Sequence, residues 1–178
     1  MATRRTALDL LSHYAAYHRD RRNIATHSVG IPLIVFAIGV LLSRPSVGLG
    51  GWALTPAWLV FAVAAIWYLS RHLVLGAATA FVTGVLFWLA HQLAGGAGTT
   101  SWLTWGLGCF VLGWIIQFIG HYYEGRKPAF VDDVVGLLVG PMFVVAEWLF
   151  ALGWNREMLQ AIESRVGPTH LRDLAHPA

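Results

Sequence analysis

Five apolar stretches, at residues 27–43, 55–70, 72–93, 101–123 and 134–154, occupy most of this chain. A helix needs about 17–25 mostly apolar residues to cross a bilayer, and each stretch comes close. Lipid offers no hydrogen bonds, so such segments must satisfy their backbone as helices or closed barrels. Charge is too sparse for any other solution. Only 12% of the 178 residues are charged and 57% are hydrophobic, which leaves too little charge to coat a soluble domain. The expected fold is an all-α integral membrane bundle of four to five transmembrane segments. It forms a single membrane domain over 1–178, with a cytoplasmic N-terminal helix region (1–26), membrane segments (27–152) and a C-terminal tail (153–178).

Lysine and arginine orient the segments. Arg4, Arg5, Arg19, Arg21 and Arg22 precede the first stretch, and alternation returns Arg71 and the Arg126-Lys127 pair to the same side. The opposite loops hold only Arg44. This asymmetry puts the N-terminus in the cytoplasm. Five full spans would place Arg156, Arg165 and Arg172 outside, against the same rule. Gly140-Pro141 and Glu147 interrupt the last stretch, so it is expected to be bent or re-entrant, with a plain kinked span as the alternative.

The net charge of +3 is explained by these loops, and no nucleic-acid motif accompanies it. Cys109 is the sole cysteine, which excludes a disulfide or a thiolate metal site within one chain. The first 22 residues are broken by His13, His18 and many charges and are not patterned as a signal peptide.

Polar residues collect where they are costly. His18, His27, His72 and His121 fall near one membrane face, and His91 falls near the other. Ionisable groups at such depths need partners or a bound ion. His18 and His27 are nine residues apart and would point in nearly opposite directions on one helix. The sequence "RDRRN" offers a break that turns them together, with Asn23 either the N-cap of the next helix or inside it on the face of His27. His121 and Glu124, at i and i+3, also share a face, a recurrent arrangement for metal ligands. Imidazole with oxygen donors suits iron, zinc, copper or nickel. Asp132 and Asp133 read as helix caps, and His13, His170 and His176 as ordinary surface groups.

The residues Tyr17-His18, Asn23, His27, Gly30 and Pro32 are followed by Gly113-Trp114, Gln117-Phe118, Gly120-His121, Glu124, Arg126, Pro128-Ala129 and Asp132. This pattern resembles the membrane 2-hydroxy fatty acid dioxygenase family of fatty acid α-oxidation, and the match continues to Pro141 and Glu147. The resemblance implies an iron(II) enzyme that cleaves a 2-hydroxy fatty acid with O2 to the acid one carbon shorter, within membrane lipid. It implies His18, His27 and His121 as metal ligands, and Glu124 and Asn23 as catalytic residues. Arg126 or Lys127 would bind the substrate carboxylate. A fourth ligand is open among His72, His91, Glu124 and Glu147. Gly125 is an unusually small residue beside the motif, with consequences expected for pocket shape.

Three other classes are weighed against this one. Membrane di-iron hydroxylases need dense histidine boxes that the chain lacks, and a small transporter fits poorly without visible repeats. A non-enzymatic lipid- or metal-binding membrane protein of the same fold stands as the alternative.

Overall fold

The computed structural model describes residues 5–44, 46–49 and 52–175. Arg4 and His176 lie outside the described residues. Helix α1 (Ala7–Ala15) opens with a reciprocal cap: Thr6 Oγ1 accepts from the Asp9 amide, and the Asp9 carboxylate accepts from the Thr6 amide. Helix α2 (Arg21–Leu42) begins at Asp20, whose carboxylate accepts from the Arg22 amide at 2.8 Å. The cap is therefore Asp20, and Asn23 lies inside the helix, on the face of His27.

Helices α2, α4 (Leu73–Gly96) and α5 (Thr99–Glu124) are each long and apolar enough to cross a bilayer. Helix α3 (Pro56–Arg71) is apolar but has 16 residues, about 24 Å at 1.5 Å per residue, short of a ~30 Å hydrocarbon core. The turn-rich stretch after α2 carries a small antiparallel hairpin, β1 (Val47–Leu49) with β2 (Trp52–Leu54), at the far end of the bundle. Large apolar side chains such as Leu59, Ile66 and Phe81 stand exposed on the outer helices. Contact with lipid explains them better than contact with water.

The α2–α5 pair is the spine of the molecule. Where it crosses, a Cβ on Gly30 would lie 2.9 Å from the Gly113 carbonyl oxygen, and one on Gly113 equally close to that of Gly30. Only glycine lets two helix backbones approach this closely, and lipid-embedded helices rely on such contact because no hydrophobic effect drives them together.

Helix α6 (Gly136–Ala151) contains Pro141 and is followed, after a bend of 118°, by the amphipathic α7 (Arg156–Val166). Helix α1 packs against both. Leu11 of α1 and Phe143 of α6 are almost wholly buried in that core, and each contributes roughly 1.5–3 kcal/mol.

The segments that flank α6 both meet the end of the bundle where α2 starts. Asp133 pairs with Arg5 at 2.6 Å, and Trp154 packs on His72 with ring centroids 5.8 Å apart. The tail beyond α7 returns there as well: the Arg21 amide donates to the His170 carbonyl, and the Arg172 amide to Asp20. The chain thus turns back at the 118° bend after α6, not at Gly140-Pro141, through which α6 runs unbroken. This return removes the conflict over the tail's basic residues. Accessibility reporters at Arg22, Lys127 and Ala175 should label from one side of a sealed vesicle, and one at Gly96 from the other. Labelling of residue 175 from the Gly96 side would contradict the return of the chain after α6.

Candidate metal centre

Three helix ends bring three imidazoles together. His18 sits on the turn between α1 and α2, His27 lies two turns into α2, and His121 lies in the last turn of α5. All three are buried, and one ligand nitrogen from each lies within 4.8 Å of the others. The turn at 16–20 makes the convergence possible, since it folds His18 back over α2. The ring of His18 is then held flat against Tyr14, with centroids 4.1 Å apart and planes 5° apart.

Hydrogen bonding decides what these rings can do. His18 Nδ1 lies 2.7 Å from the Tyr14 carbonyl oxygen, and His27 Nδ1 lies 2.9 Å from that of Asn23. A carbonyl only accepts, so each Nδ1 carries a proton, and each neutral ring presents a bare lone pair at Nε2. Those two Nε2 atoms face each other at 2.9 Å. Two lone pairs at that distance repel unless a cation lies between them. A shared proton is a poor candidate: burial, and next the neighbouring charge of His27, hold His18 well below its usual pKa. A metal ion fits. At bond lengths of ~2.1 Å, two nitrogens at right angles about one ion stand ~3 Å apart. His121 adds a third ring, whose Nδ1 is buried without a hydrogen-bond partner among the described residues. Backbone carbonyls orient two of the rings, as is usual behind metal-binding histidines.

Glu124 reaches a different target from the one its spacing suggests. Its Oε1 accepts from the Arg19 amide at 2.9 Å. Its Oε2 accepts from the Asp20 amide at 2.9 Å and from Asn23 Nδ2 at 3.0 Å. The carboxylate therefore clamps the turn that carries His18. Asn23 completes the clamp by donating to the Tyr17 carbonyl at 3.1 Å. Both residues adjoin the histidines through the backbone they hold.

The remaining candidates lie apart from the cluster. His72 caps α4, accepting from the Leu75 amide at 3.2 Å, while His91 packs against Trp58. Glu147 is half-buried, and none of the three belongs to the ligand group found among the described residues. Arg126 donates to the Ala16 carbonyl at 2.8 Å, and Lys127 pairs with Asp132 at 2.5 Å. Asp132 also accepts from the Tyr17 hydroxyl and Asp133 from the Val135 amide, so neither caps α6, whose N-cap, Val135, has no side-chain cap. Gly125 ends α5 in the left-handed conformation, φ 70°, and its amide donates to the His121 carbonyl. Its small size answers a backbone requirement.

A cavity of about 310 Å³ opens on His27 and His121. It runs from His27, His121 and Gln117 past Trp114 to Ile38 and Phe110, ~16 Å along α2 at 1.5 Å per residue. Its far walls are apolar, and its polar groups gather at the histidine end. Gln117 stands in the sequence motif without a role assigned to it, and Tyr14 was not singled out, yet both line the cavity. A role for Gln117 could have been sought, because a carboxamide inside an apolar span and one turn from His121 is an intramembrane polar residue in need of a reason. Tyr14 carries no such signal.

Comparison with known proteins identifies the family of the chain. A family model described as "2-hydroxy-palmitic acid dioxygenase Mpo1-like" matches residues 5–152, which include all three histidines and Glu124. The chain is 30% identical over 155 residues to the 2-hydroxy-palmitic acid dioxygenase MPO1 of Saccharomyces cerevisiae, covering 86% of this chain and 85% of that protein. No solved structure matches the chain.

Proposed function

Because the chain belongs to the Mpo1-like family, we propose that it is an iron(II)-dependent dioxygenase that shortens 2-hydroxy fatty acids by one carbon. The observation that carries this reading is the pair of bare imidazole nitrogens, joined by His121, at the polar end of an apolar cavity. His18, His27 and His121 would hold the metal. Nitrogen ligands with open positions suit iron and O2 chemistry, and the bound ion would supply O2 activation.

The protein's own residues supply position and dryness. The acyl tail lies along Ile38 and Phe110, which leaves the carboxylate and 2-hydroxyl beside the histidines. Tyr14 and Trp114 exclude water from that end. Glu124 and Asn23 fix the His18 turn and so the spacing of the ligands. Arg126 and Lys127 immediately precede Pro128 in the cavity wall and offer positive charge that draws the acid from the interface. The redox balance closes without an external reductant. RCH(OH)COOH and O2 give RCOOH, CO2 and H2O, the C1–C2 bond breaks, and the four electrons that reduce O2 come from the substrate.

In this reading the whole chain works as one membrane domain in the cytoplasmic membrane of a bacterium, with the site at the cytoplasmic face. Lysine and arginine are concentrated at that end. The iron-loaded protein should consume O2 with 2-hydroxypalmitic acid and release pentadecanoic acid, and should leave palmitic acid untouched. Equal turnover of the two acids would reject the reading and favour a lipid-binding protein.

A further inference from the structure

Among the described residues, Gln117 has no hydrogen-bond partner for either end of its side chain. Its Oε1 and Nε2 are both buried without a hydrogen bond in the protein, and the residue is only 4% exposed. It lines the cavity and lies one helical turn before His121, on the same face of α5. An unpaired buried amide is costly, and leucine would fill the space without that cost. Room has also been kept for it: a Cβ on Gly30 would lie 2.8 Å from Gln117 Nε2.

We propose that Gln117 is the specificity-determining residue that reads the 2-hydroxy acid head of the substrate. The assignment rests on the dioxygenase reading of this cavity and extends it to a residue with no place in the metal centre. A carboxamide offers a donor and an acceptor side by side. A 2-hydroxy carboxylate presents their complement on adjacent carbons. Gln117 Nε2–H donates to a carboxylate oxygen, and Gln117 Oε1 accepts the hydroxyl proton. Palmitic acid satisfies the first and leaves Oε1 unpaired in a dry site, the situation in which buried polar groups discriminate best. The other polar groups lining this end are His27 and His121, which the proposed function gives to the metal, and the Tyr14 hydroxyl, which lies beside Gly140.

The test is equilibrium binding to the full-length protein in detergent micelles, under argon so that no turnover occurs. 2-Hydroxypalmitic and palmitic acids each displace a fluorescent fatty acid, and metal content is measured on the same samples. Wild type should prefer the hydroxy acid, and Gln117→Leu should cut that preference about tenfold, the worth of one to two hydrogen bonds, with metal content unchanged. Gln117→Glu keeps the shape and adds a negative charge, so it should weaken both acids. Wild-type preference retained in Gln117→Leu overturns the role of Gln117 and leaves the dioxygenase reading standing. Absence of any preference in wild type overturns both. Loss of metal in both variants would make Gln117 part of the metal centre and also overturn the assignment.

Discussion

His18→Ala, His27→Ala and His121→Ala should each lower iron affinity by more than ~100-fold, while His13→Ala and His170→Ala retain it. The large effect follows from where the rings sit. Each is buried at a different helix end, so no neighbouring side chain can replace a lost nitrogen without moving a helix. His13 is exposed and packs edge-on to Tyr17, and His170 contributes its backbone to the pairing with Arg19 and Arg21. Metal analysis of purified variants, with thermal stability recorded beside it, separates ligand loss from misfolding. Removing one ring also relieves the facing lone pairs of His18 and His27, so metal-free His27→Ala should be no less stable than metal-free wild type. A metal-free wild type that is clearly the more stable would mean that the 2.9 Å contact is an ordinary hydrogen bond.

Glu124→Ala should destabilise the protein by about 3–5 kcal/mol, since it strands the Arg19 and Asp20 amides and the Asn23 side chain in a buried setting. Each orphaned donor costs about 1–3 kcal/mol, and the charged acceptor had strengthened all three bonds. The His18 turn loosens, and metal affinity falls with it. Whatever metal remains bound should keep the wild-type spectrum, because the carboxylate holds backbone and does not meet the ion. Glu124→Gln should recover part of the stability, since its single oxygen can still accept from the turn. A changed ligand-field spectrum in metal-bound Glu124→Gln would make Glu124 a ligand and overturn its role as a clamp.

Much of this was legible in the residues, and the parts that were not share a cause. Hydropathy located α2, α4 and α5 because lipid demands long apolar helices, and the break before α2 was visible in its charges. Asp20 and Asn23 are both good caps, and nothing local chooses between them. The choice is made by Glu124 and by the Arg172 amide, which the fold brings to the turn from distant parts of the chain. Spacing put Glu124 on the face of His121, but a helical face does not say which group across from it takes each oxygen. Arg126 and Lys127 illustrate the same limit, since the Ala16 carbonyl and Asp132 meet them only in the folded chain. The return of the last segment was signalled by a charge rule that five full spans would break. Its bend falls after α6, at residues 152–155, and Gly140-Pro141 lies inside an unbroken helix. Its two anchor points, Asp133 on Arg5 and Trp154 on His72, were not readable.

A single-turnover experiment reaches the chemistry most directly. Protein loaded anaerobically with one iron(II) and an excess of 2-hydroxypalmitic acid is mixed with a limiting pulse of O2, and the products are counted. One pentadecanoic acid and one CO2 per O2 consumed, with no added reductant and no product from His27→Ala, is the expected result. O2 consumed without chain shortening, or shortening that persists in His27→Ala, would contradict a three-histidine iron centre that cuts the acid lying in this cavity.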